Sequence, residues 1–202
     1  MKAMVRVKIC GLSRDCDIEA AVRARADYAG FVFANSRRRV TPAQALSLRE
    51  GLGPEITPVG VFVDEAIENI ISLVRTGVID MIQLHGSEDE EYIKELKAST
   101  DKAVIKAVAL EDEGDAERWE DSVADYLLFD SSRAGSGAGF DWRLTEGVKR
   151  PFFLAGGLSP GNIGEAVTKV RPFAVDVSSG VETDGMKDFL KMEEFVRRAR
   201  SV

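Results

Sequence analysis

The stretch Val-Lys-Ile-Cys-Gly at residues 7–11 is an alternating apolar run that stops at a thiol and a glycine. Such a run is typical of a β-strand, whose last polar residue would lie at one rim of a sheet. Later apolar runs stop in the same way, at Asp64, Gln83, Asp130 and Gly156, and at Asp176 followed by Ser178. Because parallel α/β folds place their sites at the carboxyl ends of strands, the pattern indicates an enzyme.

Strand-like and helix-like segments alternate along the whole chain. Apolar runs predict eight strands, over residues 5–10, 28–33, 58–63, 81–84, 103–108, 126–130, 152–155 and 174–177. Helices are predicted over 13–26, 41–52, 65–76, 88–98, 114–120, 142–149, 161–170 and 187–200. Eight βα units of about 25 residues each predict one closed (β/α)8 barrel, a TIM barrel, as the single domain over residues 1–202.

An open doubly wound sheet is the alternative fold. No Gly-x-Gly-x-x-Gly motif follows the first predicted strand, and eight crossover units favour closure. No linker rich in Pro, Gly or Ser interrupts the chain, so we expect no second domain.

The composition excludes several classes of protein. With 45% hydrophobic and 30% charged residues the chain is ordinary for a globular protein. No apolar stretch approaches the ~18 residues of a membrane span, and residues 1–11 lack the apolar core of a signal peptide, so we expect a cytoplasmic protein with no membrane partner. The net charge of −7 disfavours nucleic acid and requires any anion site to be built locally, for example by residues 37–39, which are all arginine.

The two cysteines predict no cross-link and no metal site. Cys10 and Cys16 lie six residues apart, at a predicted strand end and on a predicted helix, which is neither a disulfide framework nor a zinc spacing. Reduced thiols are expected, and Cys16 is interpreted as a small hydrophobic residue of the first helix.

Strand parity predicts one buried ion pair. Lys8 and Cys10 share one face of their strand, and Asp176 and Ser178 share one face of theirs. The first and last strands are neighbours in a closed barrel, and an unpaired buried charge is costly. We therefore expect Lys8 to pair with Asp176 below the layer that carries the chemistry.

Two loops of small residues follow the last two strands. They are Ala-Gly-Gly-Leu at 155–158 and Ser-Ser-Gly at 178–180. Glycines also form tight turns that bind nothing. The occurrence of both loops at the end of an eightfold pattern nevertheless favours a phosphate site, because barrels bind phosphate there through backbone N–H groups. The predicted contacts are Gly156, Gly157, Ser179 and Gly180.

With these motifs in view, the chain resembles the phosphoribosylanthranilate isomerases of tryptophan biosynthesis over nearly its whole length. The resemblance rests on Lys-Ile-Cys-Gly at 8–11, Gly-Phe-Val-Phe at 30–33, Gly-Val-Phe-Val at 60–63, Gln-Leu-His-Gly at 83–86, Leu-Phe-Asp at 128–130, Gly-Ser-Gly at 135–137, Phe-Asp-Trp at 140–142, the Ala-Gly-Gly-Leu loop and Val-Asp-Val-Ser-Ser-Gly-Val-Glu at 175–182. It implies a barrel of the ribulose-phosphate-binding type. It also implies an Amadori rearrangement of N-(5-phosphoribosyl)anthranilate to 1-(2-carboxyphenylamino)-1-deoxyribulose 5-phosphate, without a metal or organic cofactor.

The resemblance also implies roles for three residues. Asp130 matches the general acid of the family, Cys10 the general base, and Arg38 the arginine that holds the anthranilate carboxylate. The acid must keep its proton although a free aspartate has a pKa of about 3.9, and the base must ionise in part although a free cysteine has a pKa of about 8.5. We therefore expect a carboxyl group partly shielded from water, and a thiol near positive charge or N–H dipoles that lower its pKa.

The remaining polar residues of the motifs are expected to play supporting parts. Gln83 and His85 are expected to order the mouth of the barrel through hydrogen bonds. Arg37 and Arg39 are expected at a solvated rim, although Arg39 stands where the family usually has a tyrosine-like residue, which leaves the register of the three arginines open.

One departure from the family concerns the loop at 131–139, which is short between Asp130 and Phe140. Its Gly-Ser-Gly could close over a ligand, but the shortening leaves the completeness of that lid open.

Three alternatives to the isomerase remain from the sequence. An isomerase of histidine biosynthesis, or a dual-substrate enzyme, would use two aspartates, which Cys10 argues against. An indole-3-glycerol phosphate synthase would need a catalytic lysine and an N-terminal extension that residues 1–7 do not supply. A silent phosphate-binding barrel that acts as a regulator would not need Cys10, Asp130 and Arg38. The sequence leaves open whether the protein is a monomer or a homodimer.

Overall fold

Eight parallel strands close into a barrel in the computed structural model, which describes residues 4–112, 114–131 and 141–202. The strands are β1 (Arg6–Cys10), β2 (Tyr28–Val32), β3 (Thr57–Phe62), β4 (Met81–Leu84), β5 (Ala103–Leu110), β6 (Tyr126–Ser131), β7 (Phe152–Leu154) and β8 (Ala174–Val177). Each strand pairs with the next along the chain, and β8 pairs with β1. The predicted TIM barrel is confirmed. The predicted lid loop lies outside the described residues apart from its first position.

Six α-helices cover the outside of the barrel in the described segments. They are α1 (Asp15–Ala24), α2 (Pro42–Glu50), α3 (Ile67–Arg75), α4 (Glu90–Ser99), α5 (Ile163–Val170) and α6 (Phe189–Ala199). None of them is long and apolar enough to cross a membrane. The interpretation of Cys16 as a buried hydrophobic residue is wrong, because α1 turns its apolar face, including Ile18 and Ala21, to the barrel and leaves Cys16 exposed.

The helices predicted over 114–120 and 142–149 are wrong in extent, since only the short 3-10 turns Glu117–Trp119 and Trp142–Thr145 form there. The Asp115 carboxylate accepts hydrogen bonds from the N–H groups of Glu111 and Asp112, which holds the preceding loop in a turn and leaves few residues for a helix. In the second segment Gly147 has a φ of 89°, which ends the helical path soon after Asp141 caps it.

Side chains alternate between the inside and the outside of the barrel. Residues such as Val59, Met81, Ile105, Leu128 and Phe153 pack against one another inside it. Their neighbours on the same strands belong to the larger core under the helices, with Phe62, Ile82, Val104, Phe129 and Leu154 among them. Because apolar side chains fill the interior, a ligand site must lie at an end of the barrel.

The predicted Lys8–Asp176 ion pair is confirmed. The β1–β8 register sets Lys8 beside Asp176, and the Lys8 Nζ atom lies 3.0 Å from both carboxylate oxygens. Lys8 is fully buried. Burial acts to lower the pKa of Lys8, but the charge of Asp176, helped by Cys10, outweighs it and holds that pKa above its ordinary value. The pair is therefore charged, and it links β1 to β8, the two strands whose pairing closes the barrel.

Breaking this pair should cost more stability than breaking an exposed one. Lys8→Met leaves the Asp176 carboxylate buried beside no cation, and we expect the free energy of unfolding in urea at pH 7 to fall by about 3–5 kcal/mol. Lys8→Met combined with Asp176→Leu should recover most of the loss.

The matched control is Lys169→Met. It removes the exposed Lys169–Glu165 pair, whose atoms are 2.6 Å apart, and should cost about 0.5 kcal/mol or less. Equal losses for Lys8→Met and Lys169→Met would contradict the structural role of the buried pair.

Candidate active site

A cavity of about 460 Å³ opens at the carboxyl ends of the barrel strands. Every residue predicted for the site lies in its lining: Cys10, Arg38, Gln83, His85, Asp130, Gly156, Gly157, Asp176, Ser179 and Gly180. These residues come from strand ends and loops that are far apart in the sequence. The fold thus brings together all the positions that the motifs indicated.

A larger cavity of about 1040 Å³ is lined by residues 4–6, 142–143, 145–152 and 169–173, at the opposite end of the barrel. Its described lining contains several lysines and arginines but no cysteine or histidine. Of these two cavities, only the one at the carboxyl ends has a thiol in its described lining, together with the carboxyl groups of Asp130 and Asp176.

Cys10 ends β1 at the floor of the 460 Å³ cavity and is 9% exposed. Its backbone carbonyl accepts a hydrogen bond of 3.0 Å from the Ser178 hydroxyl, which ties β1 to the end of β8. Two cations, Lys8 and Lys187, act on the thiol. The expected positive surroundings are therefore present.

The expected lowering of the thiol pKa is wrong. Burial raises the pKa of Cys10 above its ordinary value, and the carboxylate of Asp176 adds to the rise. Lys8 and Lys187 act in the opposite direction but do not overcome burial. The thiol is therefore protonated at neutral pH and lies beside charges that would stabilise its ionised form.

Asp130 is the last residue on the inward face of β6, and it faces His85 across the cavity. The Asp130 Oδ2 atom lies 3.7 Å from His85 Nε2, and His85 Nδ1 lies 2.9 Å from the amide nitrogen of Gln83. Burial lowers the pKa of His85, although the charge of Asp130 opposes this, so the imidazole is neutral at pH 7. When Nδ1 accepts from Gln83, the single imidazole proton is on Nε2 and faces Asp130. Gln83 and His85 are thus in contact with each other in the lining of the cavity.

Gln83 keeps one unused acceptor. Its side chain is 1% exposed, and its Oε1 atom has no hydrogen-bond partner among the described residues. Since a buried polar atom without a partner is costly, this oxygen is suited to accept a hydrogen bond from a ligand hydroxyl.

The two glycine-containing loops lie against each other at one side of the cavity. Gly156 and Gly157 have φ angles of 78° and 65°, and in the described part of the chain their N–H groups have no hydrogen-bond partner. A Cβ at Gly180 would lie 1.8 Å from the Leu158 carbonyl oxygen. A side chain at position 180 would therefore force the two loops apart.

Arg38 is held in a cluster that the motifs did not reveal. Its Nε and Nη2 atoms bind the two carboxylate oxygens of Glu182 at 2.7 and 2.9 Å. Arg37, expected to be only solvated, also reaches Glu182, at 2.6 Å, whereas Arg39 is exposed as predicted. Lys187 completes the cluster with a contact of 2.9 Å to Glu182.

Glu182 and Lys187 are functional candidates that the sequence interpretation missed. They face each other on a small hairpin of β9 (Glu182–Thr183) and β10 (Met186–Lys187). The Asp-Gly dipeptide at 184–185 is a strong signal for a two-residue hairpin turn and would have placed them opposite each other.

No group of three or more His, Cys, Asp or Glu side chains in the described segments is arranged to hold a metal ion. The lining supplies an acid, a thiol, an arginine fork and free backbone N–H groups. The arginine and the N–H groups can bind a molecule that has an anionic group at each end. The acid and the thiol can then transfer protons to and from the part of the molecule between those groups.

Comparison with known proteins identifies the family. The family model described as N-(5'-phosphoribosyl)anthranilate (PRA) isomerase matches residues 7–198. The chain belongs to this isomerase family. A curated phosphoribosylanthranilate isomerase of Endomicrobium trichonymphae is 46% identical over 203 residues, which covers 98% of this chain and 100% of that protein.

Solved phosphoribosylanthranilate isomerases share the fold. The enzyme of Thermotoga maritima has a TM-score of 0.90 at 38% identity and covers 98% of this chain and 100% of its own. The enzyme of Thermus thermophilus has a TM-score of 0.88 at 37% identity, over 96% and 98%. A further crystal structure, with a TM-score of 0.87 and 38% identity over 98% and 100%, holds reduced 1-(o-carboxyphenylamino)-1-deoxyribulose 5-phosphate.

The raised pKa of Cys10 predicts slow alkylation at neutral pH. The rate of reaction of Cys10 with iodoacetamide should rise with pH and reach its midpoint above that of a cysteine in an unstructured peptide, because burial disfavours the thiolate. Mass spectrometry of the peptides separates Cys10 from Cys16.

Cys16 is exposed, so its alkylation in the same sample is the internal control that active iodoacetamide is present. Protection of Cys10 at high pH by the reduced product analogue would place the thiol in the ligand cavity. A midpoint below that of the peptide cysteine would contradict the assignment of burial as the dominant cause.

Proposed function

We propose that this phosphoribosylanthranilate isomerase family member converts N-(5-phosphoribosyl)anthranilate to 1-(2-carboxyphenylamino)-1-deoxyribulose 5-phosphate with Asp130 as general acid and Cys10 as general base. The observation that carries the proposal is the meeting of a strand-end carboxyl group and a strand-end thiol in one cavity that also contains Arg38 and two loops of small residues. The reaction is a step of tryptophan biosynthesis, and we place it in the cytoplasm.

In the first step Asp130 protonates the furanose ring oxygen. The bond between that oxygen and C1 breaks, and the nitrogen lone pair forms the C1=N imine. Asp130 lines the cavity, with its Oδ2 atom 3.7 Å from His85 Nε2, so its carboxyl group borders the space where the ring oxygen would bind. This arrangement supports acid catalysis, because proton transfer requires a donor held within reach of the ring oxygen.

In the second step Cys10 removes the proton from C2 of the ribose chain. The electron pair forms the C1=C2 bond while the π pair of C1=N returns to the nitrogen, which gives an enolamine. The enolamine relaxes to the ketone when its C2 hydroxyl loses a proton, the C2=O bond forms and C1 gains a proton. Lys8 and Lys187 favour ionisation of the thiol, so they stabilise Cys10 in the form that the step requires. The raised pKa means that the active form is a minor species at neutral pH, and a bound substrate must react through it.

The two ends of the substrate suit the two ends of the cavity. The guanidinium of Arg38 matches the planar anthranilate carboxylate, and the N–H groups of Gly156 and Gly157 support binding of the phosphate. Ser179 and Gly180 border the same pocket. Gln83 Oε1 is an acceptor for a ribose hydroxyl.

We further propose that residues 1–202 act as one catalytic unit, without nucleic acid or a cofactor as a partner. As its assembly we propose a monomer or a homodimer. A relative from Thermotoga maritima is described as a dimeric phosphoribosylanthranilate isomerase.

The function is tested by a fluorescence assay of phosphoribosylanthranilate consumption, run beside the aminoimidazole substrate of the histidine pathway. We expect turnover of the first and not of the second. Comparable rates on both would favour the dual-substrate alternative, and no turnover of phosphoribosylanthranilate would overturn the proposal.

Two substitutions separate the acid from the base. Cys10→Ser and Asp130→Asn should each lower kcat by a factor of about 100 or more with KM little changed, since each removes an interaction made in the transition state. Cys16→Ser, at the exposed cysteine, is the matched control and should retain full activity. Either variant retaining parental kcat would show that its residue is not the catalyst.

A further inference from the structure

The Glu182 carboxylate binds three cations at the edge of the cavity. Its Oε1 atom contacts Arg38 Nε at 2.7 Å and Lys187 Nζ at 2.9 Å, while Oε2 contacts Arg38 Nη2 at 2.9 Å and Arg37 Nη2 at 2.6 Å. The Glu182 side chain is only 5% exposed. A buried carboxylate with this many partners is fixed in one orientation.

The backbone of Glu182 is held as firmly as its side chain. Its carbonyl oxygen accepts from Lys191 Nζ at 2.7 Å, and the residue pairs with Lys187 across the hairpin. Lys187 in turn donates to the Ser178 carbonyl at 2.9 Å, at the end of β8. The hairpin therefore anchors the carboxylate to the barrel itself.

Glu182 is ionised at neutral pH. Burial acts to raise the pKa of this carboxyl group, but the hydrogen bonds and charges of Arg38 and Lys187 outweigh burial and lower it. Three cations around one carboxylate leave the cluster with a net positive charge. A second carboxylate that arrives there, such as that of an anthranilate ring, is therefore attracted.

Glu182 occupies only one edge of the Arg38 guanidinium. It uses Nε and one proton of Nη2, and no described residue makes a hydrogen bond to Nη1. The edge formed by Nη1 and Nη2 is therefore left for a second carboxylate, which can bind it with two parallel hydrogen bonds.

The aliphatic stem of Arg38 is fixed as well. It passes so close to Gly11 that a Cβ there would lie 2.3 Å from Arg38 Cδ. Contacts at both ends thus restrict the arginine, beside the residue that follows Cys10.

We propose that Glu182 is a positioning residue for the substrate carboxylate, a role that rests on the proposed function. It binds the Nε/Nη2 edge of Arg38 and so presents the Nη1/Nη2 edge to the anthranilate group. A long side chain that is already ordered loses less conformational freedom when the ligand binds, and this strengthens binding. Glu182 therefore acts on affinity for the carboxylated ring and not on proton transfer.

The test compares two ligands on one variant. The probes are reduced 1-(o-carboxyphenylamino)-1-deoxyribulose 5-phosphate and the same compound made with aniline, which lacks the ring carboxylate. Glu182→Gln should raise the Kd of the first by about 10- to 100-fold and leave the Kd of the second within about twofold. Equal weakening of both, or of neither, would overturn the positioning role.

A double-mutant comparison checks that Glu182 acts on ligand affinity through Arg38. In the Arg38→Ala background, Glu182→Gln should add no further loss of affinity, because its partner is already gone. An additive loss would show that Glu182 acts elsewhere and would overturn the proposal. The matched control is Glu194→Gln, which alters another carboxylate bound to two arginines, on α6 away from the cavity, and should change neither Kd.

Steady-state kinetics provide the remaining readout. Glu182→Gln should raise KM for phosphoribosylanthranilate and keep kcat within about twofold of the parent. A fall in kcat at constant KM would mean that the effect passes through Lys187 to Cys10, against the proposal. If Glu182→Gln does not fold, Glu182→Asp keeps the charge, shortens its reach and should show the same selective loss.

These outcomes separate the two proposals. A parent enzyme that does not turn over phosphoribosylanthranilate would overturn the proposed function and the positioning role together. A parent that turns it over, with a Glu182→Gln variant that binds both probes as the parent does, would overturn the positioning role alone.

Discussion

The pairing of β1 with β8 is the constraint on which the site depends. It closes the barrel, sets Lys8 beside Asp176 and brings the end of β1 to the Ser178 hydroxyl. Because the first and last strands are neighbours, the thiol of Cys10 lies in the same cavity as the loop at 178–180, which begins 168 residues further along the chain. An open sheet would separate the residue proposed as base from the residues proposed to bind phosphate.

The second constraint is that each buried cation at the cavity is paired with a carboxylate. The chain carries a net charge of −7, yet its cavity is suited to a substrate with a carboxylate and a phosphate. The positive charge at and below the cavity comes from local cations, and each cation is held by a carboxylate. Asp176 holds Lys8, and Glu182 holds Arg38 and Lys187. Since these charges are fixed before a ligand arrives, little reorganisation is needed on binding.

The sequence predicted the strands because each is a local pattern, and the closure because the pattern repeats eight times. It predicted the members of the cavity because they follow strands or belong to motifs that resemble the family. Strand parity together with closure of the barrel was sufficient for the Lys8–Asp176 pair. Two helices were predicted too long, since side-chain caps and a glycine with positive φ decided their ends. The direction of the shift in the pKa of Cys10 could not be predicted, because it depends on whether burial outweighs the effect of two nearby cations. Glu182 was missed because two of its partners, Arg37 and Arg38, come from a loop that is distant in the sequence, although the Asp-Gly turn was a usable signal.

The central claim is that Asp130 opens the ring and Cys10 removes the C2 proton, and the most direct measurement is a deuterium isotope effect. Phosphoribosylanthranilate deuterated at ribose C2 is compared with the unlabelled substrate in the Cys10→Ser and Asp130→Asn variants. Weakening the base should make proton removal rate-limiting, so Cys10→Ser should show a primary isotope effect on kcat. Weakening the acid should make ring opening rate-limiting, so Asp130→Asn should show none. The reverse pattern, with the isotope effect in Asp130→Asn alone, would contradict the assignment of the two roles.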